Sequence, residues 1–185
     1  MISKLVIGLV GEMASGKGTS AEYIKRKYKA SDYRFSDILR DILKQLFLEN
    51  SRYNMASLSL CLRKTFGEDV LDKTIAEKIK KDNNKIIVVD GIRRKEDMNY
   101  LKRIPGFRLV YIETDLKIAY QRIRKRKENI GDFNKTWKEF QKEHQLETEK
   151  NISKIKKEAD IIINNNKDKK NLYKQLDEII SKYSI

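Results

Sequence analysis

The chain is poor in the residues that staple or punctuate a fold: among 185 residues there is one cysteine, one histidine, one proline and one tryptophan. A lone Cys61 excludes an intrachain disulfide, and with His144 the sole histidine no cluster has the ligand count or spacing of a zinc site. Cys61 stands among apolar residues at helical spacing and reads as a small core residue rather than a nucleophile. No stretch approaches the roughly eighteen uninterrupted apolar residues of a membrane helix. The run at 4–10 stops at a glycine loop, which argues against a signal peptide. We therefore expect a cytoplasmic chain with no membrane partner. There is no internal repeat and no flexible linker.

Basic residues are plentiful. Lys and Arg number 41 against 27 Asp and Glu, a formal charge of +14 that attracts phosphates of any kind, from ATP to nucleic acid. Lys, Asn and Ile abound everywhere, including at 164–170, so the charge reads as a composition bias over solvated surface or as a polyanion-binding face. Nucleic acid is the less favoured partner. With 39% hydrophobic residues the chain can close one core, and we expect a single domain over 1–185.

Short runs rich in β-branched residues, at 5–10, 33–35, 86–89, 109–112 and 160–163, alternate with segments of helical period, the pattern of a parallel sheet flanked by helices. Most are too uniformly apolar for a one-sided sheet, which suits burial on both faces. Helices are expected over 19–28, over 36–48 with Ser36 as N-cap, over 55–80 with a break near Gly67, and over 115–127, 135–157 and 168–183. Trp137 and Phe140 read as packing residues, and His144, among charged neighbours, as an exposed one.

The decisive motif is Gly11-Glu12-Met13-Ala14-Ser15-Gly16-Lys17-Gly18-Thr19: a glycine, four residues, then Gly-Lys, following a strand and opening a helix. Phosphate oxygens need several convergent N–H donors. A loop of small residues, Gly11, Ala14, Ser15, Gly16 and Gly18 among them, can wrap its amides around them while the helix N-terminus adds its positive end. Lys17 then supplies charge to the β and γ phosphates, and the Thr19 hydroxyl can meet a phosphate oxygen or a magnesium-bound water. ATP and Mg²⁺ are the expected cofactors.

Gly16-Lys17-Gly18-Thr19 is similar to the Gly-Lys-Gly-Thr of adenylate kinases, and Ile7-Gly8-Leu9-Val10-Gly11 resembles the opening of dephospho-coenzyme A kinases. Ala14 stands where both families prefer glycine. Phe35-Ser36-Asp37-Ile38-Leu39-Arg40 resembles the Gly-Asp-x-x-Arg segment by which adenylate-kinase-like enzymes hold the acceptor phosphate, which implies Arg40 as a clamp with Asp37 on the same face of the helix start. The alternative for both is an ordinary first helical turn. Val88-Val89-Asp90-Gly91-Ile92-Arg93 resembles the Asp-Gly-x-Pro-Arg of adenylate kinases with isoleucine for proline. The resemblance implies that Asp90 orients magnesium-bound water and that Arg93 is a second clamp, with Arg94 adjacent; Asp90 as a mere turn former is the alternative. Arg122 and Arg126, four apart on one helical face, match the Arg-x-x-x-Arg that opens the lid in these enzymes, against the reading of a solvated basic face. Ala159-Asp160-Ile161-Ile162-Ile163-Asn164-Asn165 is similar to the closing strand of dephospho-coenzyme A kinases and of an archaeal adenylate-kinase-like group, which also shares the Asp-Gly-Ile-Arg segment and a Trp-x-x-Phe.

The expectation is a three-layer α/β/α P-loop fold with a parallel five-stranded sheet: a core of 1–36, 81–126 and 137–185, a helical acceptor lobe at 37–80 and a short lid at 127–136. The expected activity is transfer of the γ-phosphoryl group of ATP to a nucleoside or deoxynucleoside monophosphate, with Lys17, Asp37, Arg122 and Arg126 as catalytic candidates. One rival is dephospho-coenzyme A kinase, where Asp37 would be general base for a hydroxyl acceptor. Another is a nucleotide-gated ATPase that binds RNA or ribosomes.

Overall fold

The computed structural model describes residues 4–126, 135–145 and 147–183. Five strands, β1 (Leu5–Val10), β2 (Ser31–Arg34), β3 (Ile86–Asp90), β4 (Phe107–Glu113) and β5 (Ile161–Asn164), form one sheet in the order β2-β3-β1-β4-β5. Every pairing is parallel. β1 at the centre is buried along its whole length.

Strand side chains alternate between faces, so β1 feeds two cores. Val6 and Val10 join Ile87, Val89, Leu109 and Tyr111 on one face; Leu5, Ile7 and Leu9 join Val88, Val110 and Ile163 on the other. The first face is covered by Leu39 of α2 (Phe35–Gln45), by Leu71, Ile75 and Ile79 of α4 (Val70–Lys81), and by Ile152 and Ile155 of α7 (Glu147–Ile155). The second is covered by Ala21 and Ile24 of α1 (Lys17–Tyr28) and by Leu172, Leu176 and Ile180 of α8 (Lys169–Tyr183). A third cluster joins α5 (Leu116–Arg126) to α6 (Trp137–His144) through Ala119, Ile123 and fully buried Phe140. Met13 and Ala14 of the glycine loop pack against it. Among the described residues no helix is long and apolar enough to cross a membrane.

The break near Gly67 is present: α3 (Arg52–Phe66) ends there, with Gly67 at φ 105°, before α4 begins. Four expectations need correction. The second strand ends at Arg34, and Phe35 turns inward as the first residue of α2. β2 is an edge strand, half-buried throughout, so it is polar and lacks an apolar signature. Ser36 is inside α2 rather than its N-cap, and its hydroxyl accepts from Arg40 instead. The single helix expected over 135–157 is two, because Phe140 belongs to the cluster beside the glycine loop whereas Ile152 and Ile155 belong to the sheet core. One straight helix cannot serve both. Cys61 is exposed, on a face of α3 turned from the core.

Candidate active site

The glycine loop connects β1 to α1 at the carboxyl edge of the sheet, where parallel α/β folds place their ligands. Its tight path has visible steric causes. Gly16 is left-handed at φ 107°, and a Cβ there would lie 2.4 Å from the side-chain nitrogen of Asn165. A Cβ on Gly11 would stand 2.5 Å from the carbonyl oxygen of Ile112. Ala14 also takes a left-handed conformation, φ 57°, which suits glycine better than a residue with a Cβ. Gly18, by contrast, faces open space.

Lys17 Nζ donates to the carbonyls of Gly11 at 2.6 Å and Glu12 at 2.9 Å, so its ammonium lies against the loop it was expected to serve. The hydroxyls of Ser15 and Ser20 are buried with no hydrogen-bond partner among the described residues. Thr19 is on the first turn of α1. A loop that closes on its own lysine, admits no Cβ at Gly11 or Gly16 and keeps the Ser15 hydroxyl spare fits a polyphosphate.

The loop is braced from β5. Asn165, 4% exposed, donates to the carbonyl of Ser15 at 2.7 Å, and its backbone N–H donates to Glu113 at 2.8 Å. Thr114 Oγ donates to the same Ser15 carbonyl at 3.1 Å. Arg122 closes the network, donating to the carbonyls of Asn165 at 2.8 Å and Lys167 at 3.3 Å. Burial pulls the Arg122 guanidinium below its ordinary pKa, although an arginine stays charged. Arg122 is thus seated on the chain that follows β5. The side chain of Arg126 and residues 127–134 of the expected lid lie outside the described residues.

Across the sheet edge, Asp37 and Arg40 form an ion pair at 2.7 Å, both half-exposed, as their spacing on α2 implies. Asp90 ends β3 and accepts from the N–H of Gly91 at 2.8 Å. Its partner in the β2–β3 register is Arg34, which pairs with Asp32 at 3.2 Å. Burial raises the Asp32 pKa, while Arg34 and Lys25 oppose the shift. One Asp32 oxygen and Arg34 Nε are buried without a partner among the described residues. Neither residue stood out in the sequence, because β2 carries no motif.

Arg93 and Arg94 differ in their surroundings. Arg94 pairs with Glu68 at 3.0 Å. Arg93 is exposed, and its side chain has no partner among the described residues. Its backbone is pinned: the N–H groups of Arg93 and Arg94 donate to one oxygen of Asp97, at 3.0 and 3.1 Å, while the other accepts from Arg63 of α3 at 2.7 Å. Arg63 and Asp97 are 6% and 3% exposed, and Arg63 also donates to the Glu68 carbonyl. This buried pair ties α3 to the loop that carries Arg93. Ile92, 1% exposed, packs over Gly8, where a Cβ would meet it at 2.9 Å.

One further contact reverses an expectation. His144 is not simply exposed: its Nε2 meets the Glu12 carboxylate at 2.8 Å, joining α6 to the glycine loop.

Comparison with known proteins agrees with this frame. An AAA domain model matches residues 10–135. A UPF0200 protein of Methanoregula boonei is 30% identical over 129 residues, 68% of this chain and 70% of that protein. The chain belongs to the UPF0200 family. A second member, from Methanocaldococcus jannaschii, is 27% identical over 180 residues and aligns with 95% of this chain and 89% of its own length. Among solved structures, shikimate kinase from Bacteroides thetaiotaomicron superposes with a TM-score of 0.63 over 98% of this chain and 99% of that one, at 13% identity. That likeness shows the fold: the chain has the five-stranded architecture of the P-loop kinases.

Proposed function

We propose that the chain is a phosphotransferase that moves the γ-phosphoryl group of ATP to a nucleoside or deoxynucleoside monophosphate. The observation that carries this reading is the pairing of a glycine-loop phosphate cradle with a second set of arginines, Arg40 and Arg93, at the same carboxyl edge. A hydrolase needs only the first set. A kinase whose acceptor is itself a phosphate needs both.

In this mechanism the loop amides and the N-terminus of α1 bind the donor phosphates, and Lys17 exchanges the Gly11 and Glu12 carbonyls for phosphate oxygens. Arg93, its backbone fixed through Asp97, and Arg40 hold the acceptor phosphate in line with the donor. Thr19 and Asp90 are the oxygen donors suited to Mg²⁺ and its water shell, which would offset charge on the donor phosphates. Arg122 and Arg126 on α5 complete the cationic surround of the moving group. Asp37 already engaged by Arg40 suits a clamp better than the free carboxylate base that a hydroxyl acceptor requires.

The test is product analysis after incubation with ATP, Mg²⁺ and a panel of nucleoside monophosphates, deoxynucleoside monophosphates and dephospho-coenzyme A. A nucleoside diphosphate made from one monophosphate supports the proposal. Phosphorylation of dephospho-coenzyme A alone, or release of inorganic phosphate with no phosphorylated product, overturns it.

A further inference from the structure

We propose that His144 is a positioning residue for donor binding, holding the Glu12 carboxylate against α6 and out of the phosphate cradle. This rests on the donor site described above and goes beyond it. Glu12 is the second residue of the loop Gly11–Thr19, and its carbonyl accepts from Lys17. A carboxylate at this point carries the same sign of charge as a nucleoside triphosphate. Left to rotate, it would repel the donor and compete for the Lys17 ammonium.

The structure supplies one restraint against this. Glu12 Oε2 meets His144 Nε2 at 2.8 Å, with the side chains 25% and 21% exposed. An ionised carboxylate only accepts, so Nε2 carries the proton in this contact, whether the ring is neutral or charged. The partners are 132 residues apart in sequence and meet because α6 is seated on the loop. Phe140, one turn before His144, is fully buried and packs in the cluster that includes Met13 and Ala14. The nearest acidic residue on the helix, Glu143, is itself paired with Lys135 at 2.8 Å, and the Phe140 ring lies 6.1 Å from the imidazole. Among the described residues the imidazole is thus left to Glu12.

The experiment is a mutant cycle read by titration with a fluorescent ATP analogue, with thermal melting to establish that each variant folds. His144→Ala should weaken binding on the order of tenfold, the scale of one unscreened like charge near the phosphates. Glu12→Gln should bind at least as tightly as wild type. The double variant should return to within about threefold of wild type, because once the carboxylate is neutral nothing needs holding. His144→Gln, which keeps a donor, should rescue in part.

A loss in His144→Ala that persists in the double variant would mean that α6 has only lost packing, and would overturn the proposal. Wild-type affinity in folded His144→Ala would do the same. In both cases the donor-site reading survives, since wild type binds. Absence of binding by wild type would sink the donor site and this role together.

Discussion

The junction between Gly16 and Asn165 offers a quantitative test of how the phosphate loop is held. Gly16→Ala introduces two costs. At φ 107° an L side chain is strained, by about 1–3 kcal/mol. The new Cβ would also stand 2.4 Å from Asn165 Nδ2, closer than real contacts allow, so the amide must leave the Ser15 carbonyl. Losing that buried bond adds about 1–3 kcal/mol, giving a total of about 2–6 kcal/mol. Asn165→Ala alone removes the same bond and should cost about 1–3 kcal/mol, although Thr114 continues to donate to Ser15. In the Asn165→Ala background the displaced amide no longer exists, and Gly16→Ala should cost only its backbone strain. Urea denaturation of the four proteins measures the cycle. A coupling of about 1–3 kcal/mol is expected; additivity within about 0.5 kcal/mol would show that the Asn165 side chain does not brace the loop.

Three other outcomes follow from the structure. Asp97→Ala leaves Arg63 buried and unpaired, so it should destabilise the chain by about 3–5 kcal/mol in the same assay; a loss under 1 kcal/mol would remove the pair as an anchor. Burial raises the Asp72 pKa to about 6 against the bonds it accepts from the Tyr100 and Leu101 N–H groups. The folded chain therefore binds the proton more tightly than the unfolded one, and this contribution to stability is present below about pH 4 and lost as pH rises through 6. Thermal melts should show Asp72→Asn lacking that dependence, and an unchanged pH profile would refute the assignment. Arg93→Ala should raise the acceptor KM by about tenfold or more, whereas Arg94→Ala, which breaks only an exposed pair with Glu68, should change it little; the reverse order would exchange their roles.

The elements that the sequence made legible are those whose signal is local. β1, the glycine loop and α1 form one continuous stretch, so apolar alternation, glycine spacing and helical period reinforce one another there. The same holds for Asp37 with Arg40, three residues apart on one helix. Partners brought together by the fold left no such trace. Asn165 reaches Ser15 across 150 residues, His144 reaches Glu12 across 132 and Arg63 reaches Asp97 across 34. Each was ordinary in sequence: an asparagine among asparagines, a histidine among charges, an arginine on a basic helix. The edge strand β2 was misplaced for a related reason, since half-burial lets Asp32 and Arg34 occupy a strand without apolar alternation. Ala14 was the informative exception. Its departure from glycine was visible in the motif, and the left-handed backbone shows why glycine would suit that position.

The central claim is that phosphate leaves ATP at this loop and arrives on a second bound molecule. The most direct measurement is a single-turnover reaction with γ-labelled ATP and the accepted monophosphate, comparing wild type with Lys17→Ala. Lys17 lies at the loop and donates to the Gly11 and Glu12 carbonyls, so its replacement should leave the core and the melting temperature nearly unchanged. Label should pass to the acceptor in wild type and stay on ATP in the variant. Label that appears only as inorganic phosphate in wild type, or that reaches the acceptor equally fast in a folded Lys17→Ala protein, would contradict the account.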